Sequence, residues 1–192
     1  RYITFSQASN DETIDHLENL FETESLTDEK LYKELHYKIE ILGKMNFARI
    51  YTQGKLQSVK EEQWDIQPEG FHNTIRWNVG HIFVSIETLV QRALPEHEPV
   101  HAEWIPLFAP GTKPADWTVE PPTNEELLTA LAEQPARIKA VLEGKLNQTL
   151  PEPMKIGNLH EMATVEALMH FAVWHEGVHS GIISAMSKIS VY

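Results

Sequence analysis

No cysteine occurs anywhere in the chain. That excludes disulfides, thiolate zinc sites and a cysteine nucleophile, and it suits a reducing cytoplasm, the expected location. No apolar run reaches the roughly 18 residues that a spanning helix needs, and no apolar signal-peptide core lies near Arg1, so no membrane partner is expected. The chain opens on Arg1 rather than Met, and residues 1–10 contribute little to the expected fold. Clustered positive charge is missing too. Lys and Arg number 16 against 28 Asp and Glu, a net charge of −12, and the cations are scattered. Phosphate recognition needs clustered cations, so nucleic acid is not an expected partner. Nor does any segment show convincing strand alternation or an internal repeat.

What is present is helical patterning. The 192 residues fit one domain with its own core. Asn10 and the acids after it suggest a cap, and Ile14, Leu17, Leu20 and Phe21 predict a short acidic helix over 11–24. Thr27 precedes a longer pattern (Leu31, Leu35, Ile39, Leu42, Met45, Ile50), which predicts a helix over 28–58. Val79, Ile82, Phe83, Ile86, Leu89 and Val90 predict another over 75–94, ending before Pro95. Residues 95–122 hold most of the prolines together with Trp104, Phe108 and Trp117, and should form an ordered lid or pocket wall. Thr123 and Glu126 make a capping box for a third long helix that ends near Gly144, with Pro135 expected to kink or break it. A last helix is expected over 162–188. The fold class is therefore all-α, a four-helix bundle with a long crossover between the second and third long helices. Residues 1–27 form a partly helical extension and 28–192 the bundle domain.

Ten histidines is a high count for this length. His16, His36, His72, His97 and His101 stand in polar or loop contexts and are assigned to solvent, and His160 to a turn. The last helix carries the informative pair. At about 100° per residue, His175 and His179 lie about 40° apart, with Leu168, Phe171, Ile182 and Met186 on the same face. His170 falls on the far side. A single inward imidazole is more often a satisfied core histidine. Two together need more partners than an apolar stripe supplies, and a shared metal ion would satisfy both.

The string His175-Glu176-Gly177-Val178-His179 also reads as the H-E-x-x-H of zinc proteases. The extended metzincin form wants Gly and His where Ile182 and Ala185 stand, and residues 180–192 contain no Asp, Glu or His to serve as a downstream ligand. A third ligand must come from upstream. His81 is the best candidate, in a mixed stripe with Trp77, Asn78, Ser85 and Thr88. On the helical wheel that stripe suits a solvent face as well as a pocket wall.

Three stretches together resemble the DinB/YfiT-like superfamily. They are TIRWNVGHI at 74–82, EAL at 166–168 and the H-E-x-x-H-x-G-x-I run at 175–183. FAPGTKPADW at 108–117 resembles the long loop of some members, and the resemblance covers roughly residues 31–188. It implies a bundle in up-down-down-up order and a metal held by His81, His175 and His179. It also implies either a hydrolase or a thiol-dependent transferase or isomerase. The 11–24 helix is not part of that pattern; whether it packs on the bundle or makes an oligomer contact is open, and a homodimer is the expected assembly.

The expected function is a metal-dependent enzyme acting on a small molecule. A three-histidine site with an open position suits Zn²⁺ or Ni²⁺. Such an ion lowers the pKa of a bound water, for hydrolysis, or of a low-molecular-weight thiol, for S-transfer. The resemblance favours the thiol. Trp77, Asn78, Ser85, Trp104, Phe108 and Trp117 are the candidate pocket residues. Glu176, at the edge of the metal-facing sector, is a candidate base, though a solvent-facing place or one behind a ligand fits it better. The alternative is a binding or regulatory module in which the triad only braces the bundle. A structural zinc site would want a fourth protein ligand, and none is obvious.

Overall fold

The computed structural model describes residues 29–189. The expected 11–24 helix and the Thr27 cap lie outside the described residues, as do the side chains of His16 and His36. Among the described residues there are five helices and one hairpin: α1 (Glu29–Leu56), α2 (Ile75–Ala93), α3 (Ile105–Phe108), α4 (Asn124–Leu142), β1 (Thr149–Ile156), β2 (His160–Thr164) and α5 (Val165–Ile189). The fold is all-α, with four long helices around shared apolar cores. Both α4 and α5 pack against α1 and α2. No helix among the described residues is long and apolar enough to cross a membrane.

Local chemistry sets the helix ends. Thr74 caps α2, its hydroxyl accepting the Trp77 N–H at 3.2 Å. Thr123 and Glu126 form the expected capping box on α4. The last helix starts at Val165 rather than 162, because residues 160–164 pair with β1. The backbone N–H groups of Val165 and Glu166 then find the carbonyls of Gln148 and Leu146 at 3.0 Å each, so the preceding segment satisfies the first turn.

The hairpin corrects the expectation of no strand. β1 contains Pro151 and Pro153, its register with β2 is irregular between Thr149 and Met154, and only Leu150 and Met162 of the two strands are buried. A ribbon wet on most of both faces has no reason to alternate. Pro135 does not break its helix, since α4 runs through it from Asn124 to Leu142. Proline has no N–H to offer the Leu131 carbonyl one turn back. The Arg49 guanidinium supplies that donor instead, at 2.6 Å.

The interior is divided. One apolar cluster gathers Leu56, Val79, Ile82, Phe83, Leu127, Leu131, Ile183 and Met186; the other gathers Ile41, Ile86, Val90, Ile138, Leu142, Leu168 and Ala172. Each fully buried aliphatic side chain of these contributes about 1.5–3 kcal/mol. On every long helix a buried polar residue stands at or beside the changeover: Arg49 on α1, Glu87 on α2, Gln134 on α4 and Glu176 on α5. The histidines sit beside this polar level.

Candidate metal centre

His81 projects from the middle of α2, and His175 and His179 from successive turns of α5, which packs along α2. One nitrogen from each ring lies within 4.8 Å of the others, the one group of three or more potential metal ligands among the described residues. Ring centroids are separated by 5.0 Å for His81–His175 and 4.6 Å for the other two pairs.

The far nitrogens explain why the near ones converge. His81 Nδ1 lies 2.6 Å from the Phe108 carbonyl, which can only accept, so Nδ1 carries the proton and Nε2 a lone pair. His179 Nδ1 lies 2.8 Å from Asn78 Oδ1. The Asn78 amide is fixed by its Nδ2, which donates to the Thr74 carbonyl at 2.8 Å, so Oδ1 faces His179 and that ring too presents Nε2. Trp77 stacks on His81 with centroids 4.5 Å apart. Ser85 Oγ is 3.4 Å from His81 Nε2.

Nε2 of His81 and Nε2 of His175 face each other at 3.2 Å. Two lone pairs at that distance repel unless a proton or a cation lies between them. Nitrogens bound about 2.0–2.1 Å from a tetrahedral ion stand roughly 3.3–3.4 Å apart, so the observed spacing fits an ion. Burial also keeps the rings neutral, the form that binds metal. His175 is lowered to about 4, by burial first and then by His81. His179 is lowered to about 3, by burial and then by both neighbouring imidazoles. Burial lowers His81 as well, against the opposing effect of the Phe108 carbonyl.

The family model described as the DinB superfamily matches residues 44–183, most of the chain and all three imidazoles. The chain belongs to the DinB superfamily. None of the curated proteins matches it.

Within this DinB bundle the other expected site residues divide. Trp77, Asn78 and Ser85 touch the cluster. Phe108 reaches it through its carbonyl, and Trp117 packs edge-on to the Phe108 ring at 5.4 Å. Trp104 instead stacks on His101 at 3.9 Å and packs against Phe83. Glu176 does not face solvent. It is 3 % exposed, and Arg49, 2 % exposed, donates to both its oxygens, at 2.8 and 3.2 Å. Its carboxylate turns toward α1, while its neighbour His175 turns toward α2.

Arg49 also donates to Gln134, which donates to Glu87 at 2.6 Å. Glu87 further accepts from Arg137 and the Val100 N–H, and the ring of His97 lies 3.1 Å away. His97 is therefore buried against Glu87 rather than left in solvent. Burial raises the Glu87 pKa, but hydrogen bonds from Arg137, Gln134 and His97 outweigh it and the net shift is downward. This network escapes a reading that follows apolar steps alone. A signal was available: Arg49 follows Met45 by four, Gln134 lies between Leu131 and Ile138, and Glu87 follows Phe83 by four, so polar residues occupy core registers on three helices.

Proposed function

We propose that this DinB-superfamily chain is a metal-dependent enzyme in which His81, His175 and His179 hold a divalent ion, Zn²⁺ or Ni²⁺. The observation that carries the proposal is the convergence of three neutral imidazoles, two of them held by the Phe108 carbonyl and Asn78 in the tautomer that turns Nε2 inward. No fourth Asp, Glu or His joins them among the described residues, which favours an open position over a closed structural site.

An ion there supplies Lewis acidity, which draws the pKa of a bound water or thiol down toward neutrality. The chain's own residues do the rest. Trp77 and Phe108 wall one side of the cluster with buried aromatic surface and exclude water there. Ser85 offers a hydroxyl beside His81 Nε2, positioned to hydrogen-bond a small polar group. His175 is only half buried and sits beside Phe171, with centroids 5.9 Å apart, so access runs along α5. These features suit a small molecule, and the resemblance favours transfer from a low-molecular-weight thiol over hydrolysis.

The test pairs metal removal with assay. The chelator-treated chain should keep its helical circular dichroism, lose turnover of a thiol-plus-electrophile panel, and regain it with Zn²⁺ or Ni²⁺. Unfolding on chelation would instead assign the triad a structural role. Turnover of esters or amides without thiol would move the reading to hydrolysis.

A further inference from the structure

The aim of His81 depends on a residue with no side chain. Gly80 stands in the middle of α2, where glycine is a poor helix former. A Cβ placed there would lie 2.5 Å from Cγ and Cδ1 of Phe108 and 2.6 Å from Cδ2. The ring therefore lies directly on the α2 backbone. It is fully buried and flanked by Trp117, and Cγ is the root of the ring rather than a flexible tip. Ordinary carbon contacts begin near 3.5 Å, so a methyl at position 80 would push the Phe108 residue back by about 1 Å. The Phe108 carbonyl is 2.6 Å from His81 Nδ1. A retreat of about 1 Å would take that pair beyond hydrogen-bonding distance.

The same segment holds the second support of His81. Trp77, stacked on the imidazole, donates its indole N–H to Thr112 Oγ1 at 2.9 Å. Thr112 is in turn within 2.8 Å of the Leu107 and Ala109 carbonyls. Gly111, at φ +88°, makes the turn that brings Thr112 back to α2, a conformation few other residues adopt cheaply. Trp117 closes the segment, donating to the Leu107 carbonyl at 2.9 Å.

We propose that Gly80 is a positioning residue of the metal centre: its missing side chain seats Phe108 against α2, and that seat holds the carbonyl which fixes the tautomer and aim of His81. The consequence for metal affinity rests on the function proposed above; the consequence for the His81 ring does not.

Two readouts test it on the full chain. One is the pair of ring ¹⁵N shifts of His81 in the metal-free protein, which report the tautomer. The other is Zn²⁺ affinity by competition with a chromogenic chelator. Gly80→Ala should lose the uniform Nδ1–H tautomer at His81 and bind Zn²⁺ roughly 10- to 100-fold more weakly, the cost typical of losing a ligand's supporting hydrogen bond. With Phe108→Ala in place, which removes the ring but keeps the carbonyl, Gly80→Ala should add nothing: the double variant should match Phe108→Ala alone in tautomer and affinity. Gly80→Ala with wild-type tautomer and affinity would overturn the proposal, and so would a double variant that loses as much again beyond Phe108→Ala alone. Thr112→Val decides the matter if Gly80→Ala does not fold, since it frees the segment without adding atoms to the seat. It should shift both readouts the same way by a smaller factor, and no shift would overturn the proposal. A wild-type chain that shows the tautomer but binds no Zn²⁺ would sink the metal reading alone. A wild-type chain without the tautomer would sink this one.

Discussion

His175 and Glu176 are neighbours in sequence and belong to two different polar regions of one bundle. Glu176 enters a network in which opposite charges meet: Arg49 on Glu176, Arg137 on Glu87, and Gln134 bridging the two halves. His175 enters a cluster of three like groups, none able to satisfy another fully. The first region is complete within the chain. The second converges on a point it does not fill with its own atoms. Buried polar groups that answer one another hold a fold together, whereas buried polar groups of one kind that share a focus point to a ligand.

Breaking the network should cost the most. Glu176→Ala leaves the Arg49 guanidinium buried without its carboxylate, a loss of about 3–5 kcal/mol. Arg49 also serves the Leu131 carbonyl orphaned by Pro135, so the damage should spread into α4. Urea unfolding in chelator measures it, and any folded fraction should still take up Zn²⁺. Normal stability together with lost metal would mean that Glu176 belongs to the centre instead. His81→Ala should reverse the pattern, with Zn²⁺ affinity down by roughly 100-fold or more, beyond what losing a supporting hydrogen bond costs. Stability of the metal-free chain should change little, since the variant also removes an imidazole crowded against its neighbours. Should His81→Ala lower metal-free stability as much as Glu176→Ala, the two regions would not be separable.

A milder variant probes the border between the regions. Asn78→Ala removes the acceptor that orients His179 while leaving every imidazole in place. Zn²⁺ affinity should fall roughly tenfold. The His179 ring ¹⁵N shifts should lose their single-tautomer signature, and an unchanged affinity would show that α5 alone aims the ring.

The two regions are unequally legible in the sequence. The long helices are readable because apolar residues on one face must recur every three or four positions, and His175 and His179 announce themselves as imidazoles on such a face. His81 is not decided by periodicity, because a polar stripe on a helix looks the same whether it faces water or a pocket. The network is harder still. Its members are scattered through α1, α2, α4 and α5, and only folding shows that Arg49 answers both Glu176 and a proline-made gap. The hairpin is hidden because an exposed, proline-bearing ribbon has no buried face to pattern. His97 reads as a solvent residue because nothing local reveals that the chain after Leu94 folds back over Glu87.

The smallest expected effect is a difference in pH windows. His175 and His179 have folded-state pKa values near 4 and 3, below the ordinary 6.5. Between those limits the unfolded chain binds more protons than the folded one, so acid favours unfolding. The cluster's contribution is fully present above about pH 6.5 and drains away as pH falls toward 4 and below. Glu87 is also lowered, but from 4.5. Its contribution is intact above that value and is lost only as pH drops through its depressed folded pKa. Stability of the metal-free chain should therefore decline in two stages on acidification, the upper from the imidazoles and the lower from the network. The double variant His175→Ala/His179→Ala should reduce the decline between pH 6.5 and 4.5 to the share left to His81, which burial also lowers, and leave the lower stage standing. An upper stage undiminished by the loss of those two rings would show that a group outside the cluster titrates there, and the cluster would not be the acid-sensitive region of the bundle.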